Sequence, residues 1–186
     1  MRQTIDLPFG NVRILDSIAE LCPDDRGQIV VCGSHGGLSA ADYTQGNPPR
    51  MAFFNDAGVG KHQAGIAALA VLERVGVIAA TVSHTTACIG EGMDTWRNGR
   101  LSHLNTLAQR AGFRCGDTVP EAIERSQTLP VYRLCRLDDN GNRFVMLRHL
   151  SYPQADSERL RFEALGHKQS YWIEAETDLS QPRHEQ

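Results

Sequence analysis

Three short apolar runs, each broken by a polar tip, constrain this chain more than any other feature: "IVVC" at 29–32, "MAFF" at 51–54 and "VIAATV" at 77–82. Each has the length of a strand, and each is apolar on both alternating faces, the pattern of a strand covered by helices on two sides. Between the second and third lies "HQAGIAALAVLERVG", where Ile66, Leu69, Ala70 and Leu72 predict one buried helix face and Gly76 suits the closing turn. Strand, helix, strand with little polar interruption is the βαβ unit of a mostly parallel sheet. The expected fold class is therefore α/β: a layered, Rossmann-like parallel sheet flanked by helices.

The rest of the chain adds helices and one hairpin to that frame. A short helix is expected at "LDSIAEL" and another at "SHLNTLAQRAG", closed by Gly112. "TVPEAIERS" opens with a capping box, Thr118 answered by Glu121, and Pro120 is tolerated in the first turn. "LPVYRLCRLDDNGNRFVMLRHL" reads as an antiparallel hairpin at about 130–150, its Asn140-Gly141 pair suited to a turn with positive φ. Such a hairpin either extends a sheet edge or packs on a second copy, so a homo-oligomer is one expectation. A single α/β domain is expected over 1–178, with 179–186 as a frayed polar tail.

Length and charge limit the function classes. At 186 residues one domain is the natural expectation, and 41% hydrophobic with 22% charged residues is an ordinary globular balance. A net charge of −3 without any block of lysine or arginine argues against nucleic acid or an anionic membrane as partner. No apolar run approaches the ~20 residues that span a bilayer, and "MRQTIDLPFG" lacks a secretory apolar region, so a cytoplasmic location is expected. The five cysteines are scattered without a C-x-x-C pair, which suits reduced thiols.

The chemistry-bearing residues gather at the ends of the three apolar runs. The first ends in Ser34-His35, the second in Asn55-Asp56, the third in Ser83-His84-Thr85. Ligands of open α/β sheets bind beyond the carboxyl ends of the strands, so these tips form one pocket if the strands are neighbours. Any one Ser-His tip has a plainer account as a cap or loop tie. Three polar tips at the same end favour a pocket.

"NDAGVGKH" at 55–62 fits neither common nucleotide loop. A Walker A loop needs glycine where Asn55 stands and serine or threonine where His62 stands, and a dinucleotide fingerprint needs a third glycine beyond Gly58 and Gly60. ATP and NAD are therefore not supported, and no motif requires a cofactor. What survives is a helix start whose Gly58 and Gly60 amides, with Lys61, suit a carboxylate or phosphate. A glycine turn beside a solvated lysine is the plainer account.

"GSHGG" at 33–37 resembles the histidine tip of caspase-like cysteine peptidases, and "TACIG" at 86–90 resembles their cysteine loop. The resemblance implies Cys88 as a thiol nucleophile paired with His35 or His84. The chain departs from that pattern, because Cys88 follows the third strand and the second ends in Asn55-Asp56 without a cysteine. As a small hydrophobe, Cys88 needs no catalytic role. A divalent metal on His35, Asp56, His84 and Glu91 is a further option by donor type, without a local ligand spacing to support it.

The expected function is a small-molecule enzyme, of hydrolytic or acid–base (lyase or isomerase) type, acting on a carboxylate-, amide- or phosphate-bearing substrate. His35 or His84 would be the general acid or base, because an imidazole changes charge near neutrality, and Asp56 would orient it or take a proton itself. Ser34, Asn55, Gly58, Gly60, Lys61, Ser83 and Thr85 would bind substrate. The competing expectation is a non-catalytic small-ligand-binding or assembly subunit that uses the same crevice.

Overall fold

The structure, a computed structural model, describes residues 2–8, 10–127, 132–150 and 152–176. The tail at 179–186, with His184, lies outside the described residues. The chain divides into two compact units, Met1–Thr128 and Leu129–Gln186, where the sequence suggests one domain to residue 178.

The first unit is a six-stranded mixed sheet: β1 (Arg2–Leu7), β2 (Gly10–Leu15), β3 (Ile29–His35), β4 (Met51–Asn55), β5 (Ile78–Val82) and β6 (Leu101–Leu104), side by side in chain order. The pairs β2–β3, β3–β4 and β4–β5 are parallel, and the two edge pairs are antiparallel. The α/β class with a largely parallel sheet is therefore present. Strand order never reverses, however, so the sheet lacks the switch point that opens the ligand crevice in doubly wound folds.

Helices cover both faces. Because the parallel strands step across the sheet in one direction, connections of one hand put α1 (Leu38–Gly46) and α2 (Ala68–Arg74) on the same face. There Ala40, Ala41, Leu69 and Leu72 pack with Val30, Cys32, Ala52 and Phe54. The opposite side chains, Val31, Phe53, Ala80 and Val82, meet α4 (Thr106–Arg110) and α5 (Val119–Gln127) through Leu107, Val119 and Ile123. Phe53 stacks on Phe113 at 5.6 Å. α3 (Gly92–Asn98) adds Met93 and Trp96 to that core, so Trp96 anchors a helix.

Local readings changed in two places. "LDSIAEL" is not a helix: Leu15 ends β2, and the Ser17–Glu20 capping box closes only a 3₁₀ turn, because Pro23 follows. In "SHLNTLAQRAG" the first residues are strand β6, and Asn105 caps a helix that starts at Thr106. The capping box at Thr118 forms as expected, Thr118 N–H donating to Glu121 at 2.7 Å.

The second unit contains β7 (Tyr132–Leu137), β8 (Arg143–Leu150), α6 (Tyr152–Glu163) and β9 (Ser170–Ala175). The expected hairpin is β7–β8, its turn tied by Asp138 accepting from the N–H groups of Asn140 and Asn142. It does not extend the six-stranded sheet: β9 pairs on the other side of β7, making a separate three-stranded antiparallel sheet. Leu134 and Ala155 are fully buried in this unit. Among the described residues no helix is long and apolar enough to cross a membrane.

Candidate active site

The three polar tips are neighbours: His35 pairs with Asn55 and Asn55 with Val82, whose chain continues into Ser83-His84. At the centre Asp56, 4% exposed, follows β4. Its Oδ1 accepts from Gly58 N–H at 2.9 Å, His84 N–H at 3.0 Å and the His84 ring nitrogen Nδ1 at 2.9 Å. Burial pushes the Asp56 carboxyl up, but the donors from Gly58, His84 and Ser102 outweigh it, and the net shift is below the usual carboxylate range. The group is therefore a buried carboxylate, which can only accept. His84 Nδ1 must then carry the hydrogen, and in the neutral ring Nε2 keeps its lone pair. The His84 side chain is half exposed at 52%.

The loop after Asp56 is conformationally unusual. Ala57, Val59, His62 and Gln63 all have positive φ (48°, 66°, 55° and 60°), together with Gly58 and Gly60. A β-branched residue at +66° is strained, and strain of this kind gathers at functional sites. The imidazole of His84 lies beside Gly58, where a Cβ would stand 3.6 Å from ring carbon Cε1. Gly65 lies under Asp56 so closely that a Cβ there would overlap the Asp56 carbonyl oxygen.

This loop corrects the anion-cradle expectation. Gly58 N–H is spent on Asp56 and Gly60 N–H on the Gly58 carbonyl, at 2.9 and 2.7 Å. The segment Lys61–Ile66 is 3₁₀, interrupted at His62 and Gln63, and regular helix α2 begins only at Ala68. The left-handed turn thus commits the Gly58 and Gly60 amides within the loop itself. Lys61 is exposed, with no ion pair among the described residues.

The other expected site residues divide into scaffold and rim. Asn55 is fully buried, donating to Ala87 O at 2.8 Å and accepting from Ala57 N–H at 2.8 Å, which locks two loops together. Ser34 accepts from Ile18 N–H at 3.0 Å and is committed to the 3₁₀ turn. Ser83 and Thr85 share a 2.8 Å hydroxyl contact on the rim beside His84. The His35 ring rests near its own Gly37 and has no hydrogen bond among the described residues. Asp56 and His84 thus form a pair, and His35 stays outside it.

Cys88 is exposed and lies on a different constellation. Its N–H donates to Asp94 at 2.6 Å, and its thiol is held above its ordinary range by a hydrogen bond to Asp94 and by the charges of Glu91 and Asp94. That environment keeps the thiol protonated, the opposite of what a nucleophile needs. Among the described residues His35, Asp56, His84 and Glu91 do not converge as ligands. The group that does is Cys88, Glu91 and Asp94, whose ligand atoms lie within 4.8 Å of one another.

Two contributors carry no local sequence signal. Ser102, on β6, bonds Thr81 Oγ1 and His103 Nδ1, both at 3.1 Å, and adds to the lowering of the Asp56 carboxyl. Its role depends on β6 lying beside β5, a tertiary fact. The left-handed run at 57–63 is hidden as well, because Ala, Val, His and Gln do not announce positive φ. Comparison of the chain with protein-family models, curated proteins and solved structures finds no match.

Proposed function

We propose that this protein is a small-molecule enzyme in which His84, oriented by Asp56, moves a proton. The observation that carries the reading is the 2.9 Å contact between a buried, ionised Asp56 and Nδ1 of a half-exposed His84. Asp56 holds one tautomer and stabilises the imidazolium that forms; it does not itself take the proton. His84 Nε2 faces outward as a base toward water or an acidic proton of substrate, and returns that proton to the product. Ser83 and Thr85 supply hydroxyls on the same rim. Hydrolysis by activated water or a proton-transfer reaction fits this equipment, and a thiol mechanism through Cys88 does not. His35 is left as a rim contact.

Turnover of a panel of small amide, ester and phosphate substrates by wild type, His84→Ala and Asp56→Asn tests the reading. His84→Ala is expected to lower kcat by ~10²–10⁴-fold. Turnover unchanged in His84→Ala would sink it. No turnover in any protein, with a panel compound bound equally by all three, would favour the ligand-binding subunit instead.

A further inference from the structure

We infer that the groove between α2 and β6 is the binding site for an uncharged, amide-bearing ligand. The groove has a volume of about 540 Å³, within the size range of small-molecule sites. Ile66, Ala67, Ala70 and Leu104 give it an apolar floor. Its hydrogen-bonding side chains include Gln63, His103 and Gln109, and Glu73 is its one acid.

The lining selects by chemistry. No lysine or arginine lines the groove, so a phosphate or carboxylate would meet no countercharge. Its acid, Glu73, accepts from Thr106 N–H at 2.6 Å and opposes an anion further. No Phe, Tyr or Trp lines it, which removes the stacking face a nucleobase needs. Two glutamine amides can both donate to and accept from a carboxamide, and the apolar floor takes the short aliphatic parts between amides.

The groove adjoins the candidate dyad. Ser102 and Gln63 line it, Gln63 from the strained loop that carries Gly58 beneath His84. The geometry therefore offers the groove as the seat of the unreacting part of an amide substrate. That last step rests on the proton-transfer reading; binding in the groove does not.

The test uses the full chain and acetyl-trialanine amide, with acetyl-trialanine carboxylate as the charged control, followed by NMR titration. The amide is expected to shift the Gln63 and Gln109 side-chain resonances and the His103 ring saturably, and the carboxylate to bind at least ~5-fold more weakly, about the cost of one missing countercharge contact. Ala70→Trp fills the groove from an exposed helix position and is expected to abolish those shifts, with the one-dimensional spectrum reporting an intact fold. His84→Ala is expected to bind the amide as wild type does. Absence of saturable shifts at these residues, equal binding by Ala70→Trp, or tighter binding of the carboxylate would overturn the groove assignment. Amide binding that persists while no protein turns over any amide would leave the groove standing and remove only the proton-transfer reading.

Discussion

Asp56 concentrates several roles on one oxygen. Oδ1 serves the ring of His84, its backbone and the backbone of Gly58, so the same group holds the loop and orients the imidazole. Asp25, fully buried, is a second such carboxylate, with Arg2 at 2.6 Å; burial raises it, and Arg2 and Cys22 N–H lower it further, for a net downward shift. Both folded values lie below the unfolded one. Their stabilisation is therefore complete above the unfolded carboxylate range of about 3.9 and is lost as pH falls through the folded values. The urea midpoint is expected to stay level from about pH 7 to 5 and to fall below about pH 4, and Asp56→Asn to fall less steeply over that interval. An identical acid limb in the variant would remove Asp56 from the explanation. Val59 offers a test of strain: Asn tolerates its +66° backbone better, so Val59→Asn is expected to raise stability by ~1 kcal/mol in urea unfolding. If the strain serves catalysis, turnover falls in the same variant.

At the scale of elements, the site depends on how strand ends are tied. Asn105 is 4% exposed and links two elements: it accepts from Ala108 N–H at 2.9 Å as the α4 cap and from Ala79 N–H at 3.2 Å on β5, and donates to Val77 O, just before β5, at 2.9 Å. Asn105→Ala would leave buried backbone groups unpaired at the start of β5, and a loss of ~2–4 kcal/mol is expected by chemical denaturation. A loss under ~0.5 kcal/mol would mean that water replaces the amide there. The sequence already announced the strands through their apolar runs, the α5 start through Thr118 and Glu121, and the β7–β8 turn through Asn140-Gly141. It did not announce β6 inside "SHLNTLAQRAG", because four residues carry too little periodicity to oppose a helical pattern beside them. The β1–β2 hairpin was missed as well, its half-exposed strands giving no apolar run.

For the whole molecule, the two units have different architectures and their own buried side chains. In Met1–Thr128 the six strands are covered on both faces by helices of the same unit, which is the arrangement of a domain that folds alone. A fragment of residues 1–128 is expected to unfold in one cooperative urea transition and to keep native near-ultraviolet dichroism. A gradual transition with strong binding of a hydrophobic dye would show that this unit depends on the remainder of the chain.

Sequence alone determined the alternation of buried strands and helices, and with it the α/β class and the crowding of polar residues at three strand ends. Those properties follow from local hydrophobic periodicity, which survives in one dimension. Tertiary structure decided the rest: that strand order runs without reversal, that Asp56 chooses His84 over His35, that Asn55 and Ser34 are ties, and that β6 sets Ser102 against Thr81. Each of these depends on which strand tip stands beside which and on the hand of a backbone turn. Hydrogen bonds across 28 residues, as between His84 and Asp56, leave no trace in the spacing of side chains along the chain.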